Sequence, residues 1–330
     1  MNLREELSKP EAFPYPVNSV ELKETHISQV FLAGEFVYKI KKPVKFSFLD
    51  FSTLENRHKY CELEIELNSR LSPQLYLGVA PVANRDGVIG FESTGKLVEY
   101  AVKMNRLPDK NKMDFLLKKG KVNEKQILEL AEIIAEFHSR VPVVKDKKFF
   151  SPEHIQRLFN DISSVREVVE KEAGKGKEID LLIERSNAFI EKNSALLRER
   201  QEKGFIKECH ADLHSGNIFL MEKPVVFDCV EFSDEFRFTD TGADVAFMAM
   251  DLDAFNRTDF AEKFTQRYVE KSGDEQILSL LPFYKCYRAN VRAKVSGLRL
   301  MQNPAESEKN EIILELRRYL ALALRYSEQF

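Results

Sequence analysis

The sequence contains no CxxC pair. Its four cysteines, Cys61, Cys209, Cys229 and Cys286, are scattered along the chain, which argues against both a disulfide framework and structural zinc. No run approaches the ~18 apolar residues that a membrane span requires. The opening MNLREELSKPEAF is charged and lacks the apolar core of a secretory leader. The expectation is a cytoplasmic chain with no membrane partner. There is no surplus of positive charge either: the formal net charge is -3, so nucleic acid is not expected as a partner. No Gly-x4-Gly-Lys-Ser/Thr run occurs, which removes P-loop chemistry. Internal repeats and low-complexity tracts are also missing.

What is present is enough apolar mass for a sizeable core, 43% hydrophobic residues in a chain of 330, and a length that suits about two domains. Residues 1–19 carry Pro10, Pro14 and Pro16 and read as an irregular lead-in. Strand signals follow at Val20–Thr25, Gln29–Leu32 and Phe36–Ile40, the last two joined by the tight turn Ala33-Gly34-Glu35. Ser52 with Glu55 fits a capping box opening a helix to about Leu71. Ala80–Ala83 and Val88–Phe91 flank the hairpin turn Asn84-Arg85-Asp86-Gly87, and Val98–Met104 is a further strand. Beyond Pro108 the periodicity turns helical. Ile127, Leu130, Ala131, Ile134, Phe137 and His138 share one face, and Ser151-Pro152-Glu153 starts another helix. A helix is expected from about Glu178 to Gln201, and the chain reads helical again from about Asp244. Strands early and helices late predict an α+β fold with two lobes, residues 1–104 and 105–330.

Between the helical stretches lies Phe205–Phe232, FIKECHADLHSGNIFLMEKPVVFDCVEF. Ile218–Met221 and Val225–Asp228 read as a hairpin closed at Glu222-Lys223-Pro224, which brings Asn217 and Asp228 to its open end. An amide oxygen and a carboxylate are hard ligands suited to Mg²⁺. Asp212 lies five residues before Asn217, placed to accept or orient the proton of a hydroxyl.

His210-Ala211-Asp212-Leu213-His214-Ser215-Gly216-Asn217, followed by Phe227-Asp228, resembles the catalytic loop and metal aspartate of aminoglycoside phosphotransferases, a branch of the protein-kinase-like fold. Ala211 stands where that family usually has glycine. Asp244-Val245-Ala246 resembles the family's Asp-Leu-Ala, whose aspartate buttresses the loop. The resemblance implies a small antiparallel-sheet N-lobe and a larger, mainly helical C-lobe. It implies Asp212 as catalytic base, Asn217 and Asp228 as Mg²⁺ ligands, and His210 and Asp244 as structural support. Phe36-Val37-Tyr38-Lys39-Ile40 resembles the kinase Val-Ala-Ile-Lys strand, so Lys39, preferred by the family register over its neighbours Lys41 and Lys42, would hold nucleotide phosphates. Glu64, seven residues before Leu71, would be its partner. The strand ending at Met104 would lead into an adenine-binding hinge, Asn105–Pro108. The turn Thr25-His26-Ile27-Ser28 lacks the glycines of a phosphate-covering loop, which leaves Ser28 and backbone amides for that task. Lys41-Lys42-Pro43, Phe48-Leu49-Asp50-Phe51, Asp228-Cys229-Val230-Glu231-Phe232 and Met250-Asp251-Leu252 resemble a bacterial subgroup of uncharacterised phosphotransferase-like proteins.

The function expected is transfer of the γ-phosphoryl of ATP or GTP, with Mg²⁺, to a hydroxyl of a small-molecule acceptor. Rival readings are a non-catalytic nucleotide-binding regulatory module and a protein kinase. The last lacks the Phe-Gly pair after Asp228 and an Ala-Pro-Glu motif. Zinc at His210, Asp212 and His214 would need a third nitrogen or sulfur ligand that does not follow at suitable spacing. His138 and the cysteines read as packing residues, and His214 has no assigned role. Lys285, Arg288, Arg292 and Arg299 share a helical face, either ion-paired or facing an anionic acceptor. Glu231, Asp234, Glu235 and Asp240 offer the opposite, an acidic pocket for a cationic acceptor.

Overall fold

The computed structural model describes residues 2–46 and 48–330. The chain divides into two compact units, Met1–Lys112 with Val225–Asp234, and Met113–Pro224 with Glu235–Phe330.

The first unit is built on a six-stranded antiparallel sheet. Its strands lie in the spatial order Val20–Glu24, Ser28–Ala33, Phe36–Lys41, Lys96–Asn105, Tyr76–Arg85 and Val88–Phe91. Register follows from side-chain alternation, since residues directly opposite one another share a face. Tyr38 lies opposite Phe31 and Ile40 opposite Gln29. That face carries a buried aromatic cluster of Phe13, Phe31, Tyr38 and Phe91. The other face presents Ser28 opposite Lys41, Val30 opposite Lys39, and Val102 and Met104 opposite Lys39 and Val37. The expected hairpin turn is present. Asp86 and Gly87 take positive φ values of 54° and 91°, as a tight two-residue connection requires. The helix after the sheet's third strand runs Leu54–Ser69, but its cap is Thr53, whose Oγ1 accepts from the Asn56 amide at 3.1 Å. Ser52 is instead engaged with Asp50.

Residues 2–19 are more ordered than their prolines suggest. Leu3–Leu7 is a short helix and Pro10–Ala12 a 3₁₀ turn, with Leu7, Ala12 and Phe13 buried in the aromatic cluster. Covering an apolar sheet face outweighs the local turn signals. A Cβ on Gly90 would meet the Ala12 carbonyl oxygen at 3.1 Å, so that strand position suits a residue without a side chain.

The second unit is mainly helical. Its centre is the helix Thr241–Ala254, every residue of which is buried. Thr258–Ser272, Ile277–Met301 and Glu306–Ser327 complete the C-terminal half, and Phe247, Met250, Phe283, Tyr284 and Leu316 are among the core residues. The helix expected over 178–201 is two, Gly176–Lys192 and Ser194–Glu202, separated at Asn193. One short antiparallel pair, Ile206–Glu208 with Phe238–Asp240, brackets the polar loop. Among the described residues no helix is long and apolar enough to cross a membrane.

Candidate active site

In the first unit, alternation along Phe36–Lys41 sends Lys39 and Lys41 to the same face, and both meet Glu64 on the Leu54–Ser69 helix. Lys39 Nζ lies 2.9 Å from Glu64 Oε1, and Lys41 Nζ lies 2.7 Å from Oε2. Lys39 also reaches Asp228 Oδ1 at 2.6 Å, while Lys41 bonds Glu231. The five side chains form one chain of alternating charge: Asp228, Lys39, Glu64, Lys41, Glu231. Burial works against the charge of Glu64, but Lys39 and Lys41 hold its carboxyl down at about 2. Burial likewise opposes the charge of Lys39, and Asp228, Glu64 and Glu231 lift its pKa well above the ordinary lysine value. Glu231 is pushed upward by burial, against the pull of Lys41.

Exposure separates the two lysines. The Lys39 side chain is 13% exposed and that of Lys41 is 0%, so only Lys39 can meet a ligand without rearrangement. The segment carrying Asp228 is tied down on both sides. Ser72 Oγ donates to the Val226 carbonyl at 2.7 Å, and the Cys229 amide donates to Asn68 Oδ1 at 2.8 Å. The Asp228 amide donates to Tyr76 Oη at 3.2 Å. Asp228 has φ +63°, a conformation that costs a non-glycine residue of order 1 kcal/mol or more and persists only where neighbours hold it. Ser28 lies on the Lys39 face with its Oγ buried and without a hydrogen-bond partner. Its amide, like that of Ile27, goes to Thr25 Oγ1. Met104 is buried on the same face.

In the second unit, Asp244 organises the loop 210–217. Its carboxylate accepts from the amides of His210 at 3.1 Å and Ala211 at 2.8 Å. His138 Nε2 lies 3.1 Å from the same carboxylate, and His138 Nδ1 lies 2.8 Å from Tyr268 Oη. His138 thus buttresses Asp244 rather than merely packing. Cys209 lies close enough to His138 and Asp244 to form a three-ligand set, but both of those side chains already have partners. Buried His210 accepts the Asp212 amide at Nδ1, 3.3 Å away. Ala211 adopts φ +69°, and Arg288 donates to its carbonyl at 3.2 Å.

Asn217 Nδ2 donates to the carbonyl of Asp212 at 3.0 Å and to its carboxylate at 2.9 Å. With the amide nitrogen so used, Asn217 Oδ1 accepts no hydrogen bond among the described residues. An amide oxygen is a hard donor of the kind Mg²⁺ takes and zinc does not favour. His214 Nε2 is 3.4 Å from Asp212 Oδ2, and Arg292 Nη1 is 3.4 Å from the same nitrogen. Because His214 Nδ1 accepts the Gly216 amide at 3.0 Å, the neutral ring carries its proton on Nε2, facing Asp212. Desolvation raises the Asp212 pKa, yet His214, Arg292 and His210 hold the carboxyl well below the usual carboxylate range. Asp251, on the central helix, accepts the Ser215 amide at 2.8 Å.

The basic face is largely neutralised. Lys285 pairs with Asp253, Arg299 and Arg292 share Glu315, and Arg288 donates to backbone carbonyls. The acidic set is engaged as well: Glu235 with Arg157, Asp240 with Arg200, and Glu231 with Lys41.

Residues 48–280 match the model of a phosphotransferase enzyme family. The chain belongs to that family. An uncharacterised protein of Mycobacterium tuberculosis is 34% identical over 310 residues, and an uncharacterised protein of Mycobacterium bovis matches to the same extent. The match covers 93% of this chain but 59% of those proteins, so this phosphotransferase-family chain spans about three-fifths of their length. A choline/ethanolamine kinase family protein from Mesorhizobium loti superposes with TM-score 0.53 at 12% identity, covering 94% of this chain and 92% of that one. An ethanolamine kinase of Plasmodium vivax gives 0.51 at 13%, with 94% and 82% covered. The aminoglycoside phosphotransferase APH(2″)-IIia, in complex with GDP and kanamycin, gives 0.50 at 15%, with 92% and 94% covered. These likenesses identify the fold of the family member described here as protein-kinase-like, with a small antiparallel-sheet lobe and a larger, mainly helical one.

Proposed function

We propose that this phosphotransferase moves the γ-phosphoryl of ATP or GTP to a hydroxyl of a small-molecule acceptor in the cytoplasm. The observation that carries the reading is Lys39, partly exposed and bridging Glu64 and Asp228. An ammonium so placed can exchange Asp228 for nucleotide phosphate oxygens while Glu64 keeps it aimed. Met104 is the penultimate residue of the strand Lys96–Asn105, which leads into the segment assigned to adenine. Asp228 and Asn217 are the oxygen donors assigned to Mg²⁺, which when bound neutralises phosphate charge. Asp212 remains ionised at neutral pH and orients the acceptor hydroxyl, taking its proton as the new P–O bond forms and the bond from the γ-phosphorus to the β–γ bridging oxygen breaks, with ADP or GDP leaving. Asn217 and His214 hold that carboxylate in place, and positioning supplies much of the rate.

The closed Thr25–Ser28 turn favours a second reading, a nucleotide-binding regulatory module. The amides of Ile27 and Ser28 are spent on Thr25, so that turn offers fewer donors to phosphate than a glycine-rich loop does. Nucleotide binding with and without Mg²⁺, followed by turnover against a panel of hydroxyl acceptors, separates the two. Kinase function predicts Mg²⁺-dependent binding weakened by Asp228→Ala, and turnover lost in Asp212→Ala. Mg²⁺-dependent binding with no turnover on any acceptor favours the regulatory module.

A further inference from the structure

Lys41 has no place in the scheme above. Its ammonium is fully buried, and desolvating a charge costs several kcal/mol unless partners compensate it. Its partners are Glu64 and Glu231, three residues beyond Asp228. The segment Val225–Asp234 belongs to the same compact unit as the sheet, and its ties to that unit include hydrogen bonds from Ser72, to Tyr76 and to Asn68, and the Lys39–Asp228 ion pair. Lys41–Glu231 is a second tie of opposite charges, and it does not involve the Asp228 carboxylate. It closes the segment on the side after Asp228, whose backbone is held at positive φ.

Charge accounting gives the pair a further consequence. Lys39 serves both Glu64 and Asp228, and a metal ion taken by that carboxylate would weaken the lysine's hold on it by like-charge repulsion. Glu64 is not left uncompensated when this happens, because Lys41 occupies its other oxygen. A single lysine would leave the buried glutamate dependent on the residue that moves.

We propose that Lys41 and Glu231 are positioning residues for the metal-binding Asp228. Lys41 is the resident counter-ion of Glu64 and, through Glu231, the latch that fixes the Asp228 segment to the sheet, which lets Lys39 and Asp228 part toward phosphate and metal. The inference rests on the phosphotransferase reading for the role of Asp228, though the latch itself can be tested without any ligand.

The test uses the full chain with Glu231→Gln, Lys41→Met and the neutral double variant Lys41→Met/Glu231→Leu, each checked for folding by circular dichroism. In the ligand-free protein, hydrogen exchange of the amides of residues 228–231 is expected to quicken in Glu231→Gln. With a non-hydrolysable ATP analogue as probe, half-saturating Mg²⁺ is expected to rise about tenfold, the lower end of the loss seen when a residue supporting a metal ligand is removed. Analogue binding in EDTA should change little. Should Lys41→Met fail to fold, Glu231→Gln and the double variant carry the same readouts. Unchanged exchange at 228–231 together with an unchanged Mg²⁺ requirement would overturn the latch. Quickened exchange in a protein whose analogue binding ignores Mg²⁺ even as wild type would instead sustain the latch and overturn the metal role given to Asp228.

Discussion

Gly216 and His214 are in contact across the turn of the loop: a Cβ built on Gly216 would lie 2.7 Å from His214 Cε1 and 2.9 Å from Nδ1. The glycine is therefore required by the imidazole and not by its own backbone angle. Gly216→Ala is expected to push the ring from its place, removing the proton that faces Asp212. Turnover should fall by about 10–100-fold, the scale of a misplaced catalytic group, with nucleotide affinity retained. Steady-state kinetics beside equilibrium binding check this. Equal losses in both would show a general collapse of the loop.

Glu64 is a stability element of the first unit. Its carboxylate compensates two buried ammonium groups, so Glu64→Ala should destabilise by about 3–5 kcal/mol, read from urea unfolding. A change below about 1 kcal/mol would mean that Asp228 and Glu231 alone suffice for the lysines.

Arg200 plays the same part in the helical unit. Fully buried, it binds Asp240 at 2.7 and 2.8 Å and Asp274 at 2.9 and 2.7 Å. Asp240 in turn accepts the Gly242 amide at the start of the central helix and the Tyr284 hydroxyl. Arg200→Ala leaves two buried carboxylates uncompensated and should cost about 3–5 kcal/mol. Arg200→Lys keeps one charge but not the fork, and is expected to fall between the two. Calorimetric unfolding orders the three proteins; a lysine variant as stable as wild type would contradict the role given to the fork.

The Lys39–Glu64 pair was legible in the sequence because period-2 alternation and the resemblance to kinase strands point to the same residues. Alternation also places Lys41 beside Lys39, yet its partner Glu231 is 190 residues away, and nothing local announces that pairing. His138 presents the same difficulty: it sits on an apolar helix face, where packing is the local expectation, and its partner Asp244 is 106 residues distant. The capping assignment moved by one residue, since Ser52 and Thr53 can each serve and only the backbone geometry chooses between them. Ala211 and Asp228 both occupy the left-handed region, which their residue types disfavour. Tertiary hydrogen bonds from Arg288 and to Tyr76 flank those positions, and no sequence pattern encodes them. The broad architecture was readable because strand and helix periods are segregated along the chain.

His154 should make stability depend on pH. Its Nδ1 accepts the Phe150 amide at 2.8 Å, its Nε2 is buried without a partner, and burial, with Arg157 nearby, lowers its pKa below 6.5. Below that value the unfolded chain takes up a proton that the folded chain resists. Stability from this residue is therefore intact above about pH 6.5 and is lost as the pH falls toward the folded pKa. His154→Asn, which can still accept the Phe150 amide, should flatten the slope between about pH 7 and pH 5. Parallel slopes for variant and wild type would show that other groups set it.

The central claim is that Asp212 acts on an acceptor hydroxyl beside a bound nucleotide. The most direct test compares Mg²⁺-dependent ATP and GTP turnover of Asp212→Asn with wild type, with an acceptor found by the panel, at matched nucleotide occupancy. The substituted amide can still accept a hydrogen bond from Asn217, so nucleotide affinity should hold within about threefold while turnover drops by about 10²–10⁴-fold. A variant that turns over at the wild-type rate would contradict the assignment of Asp212.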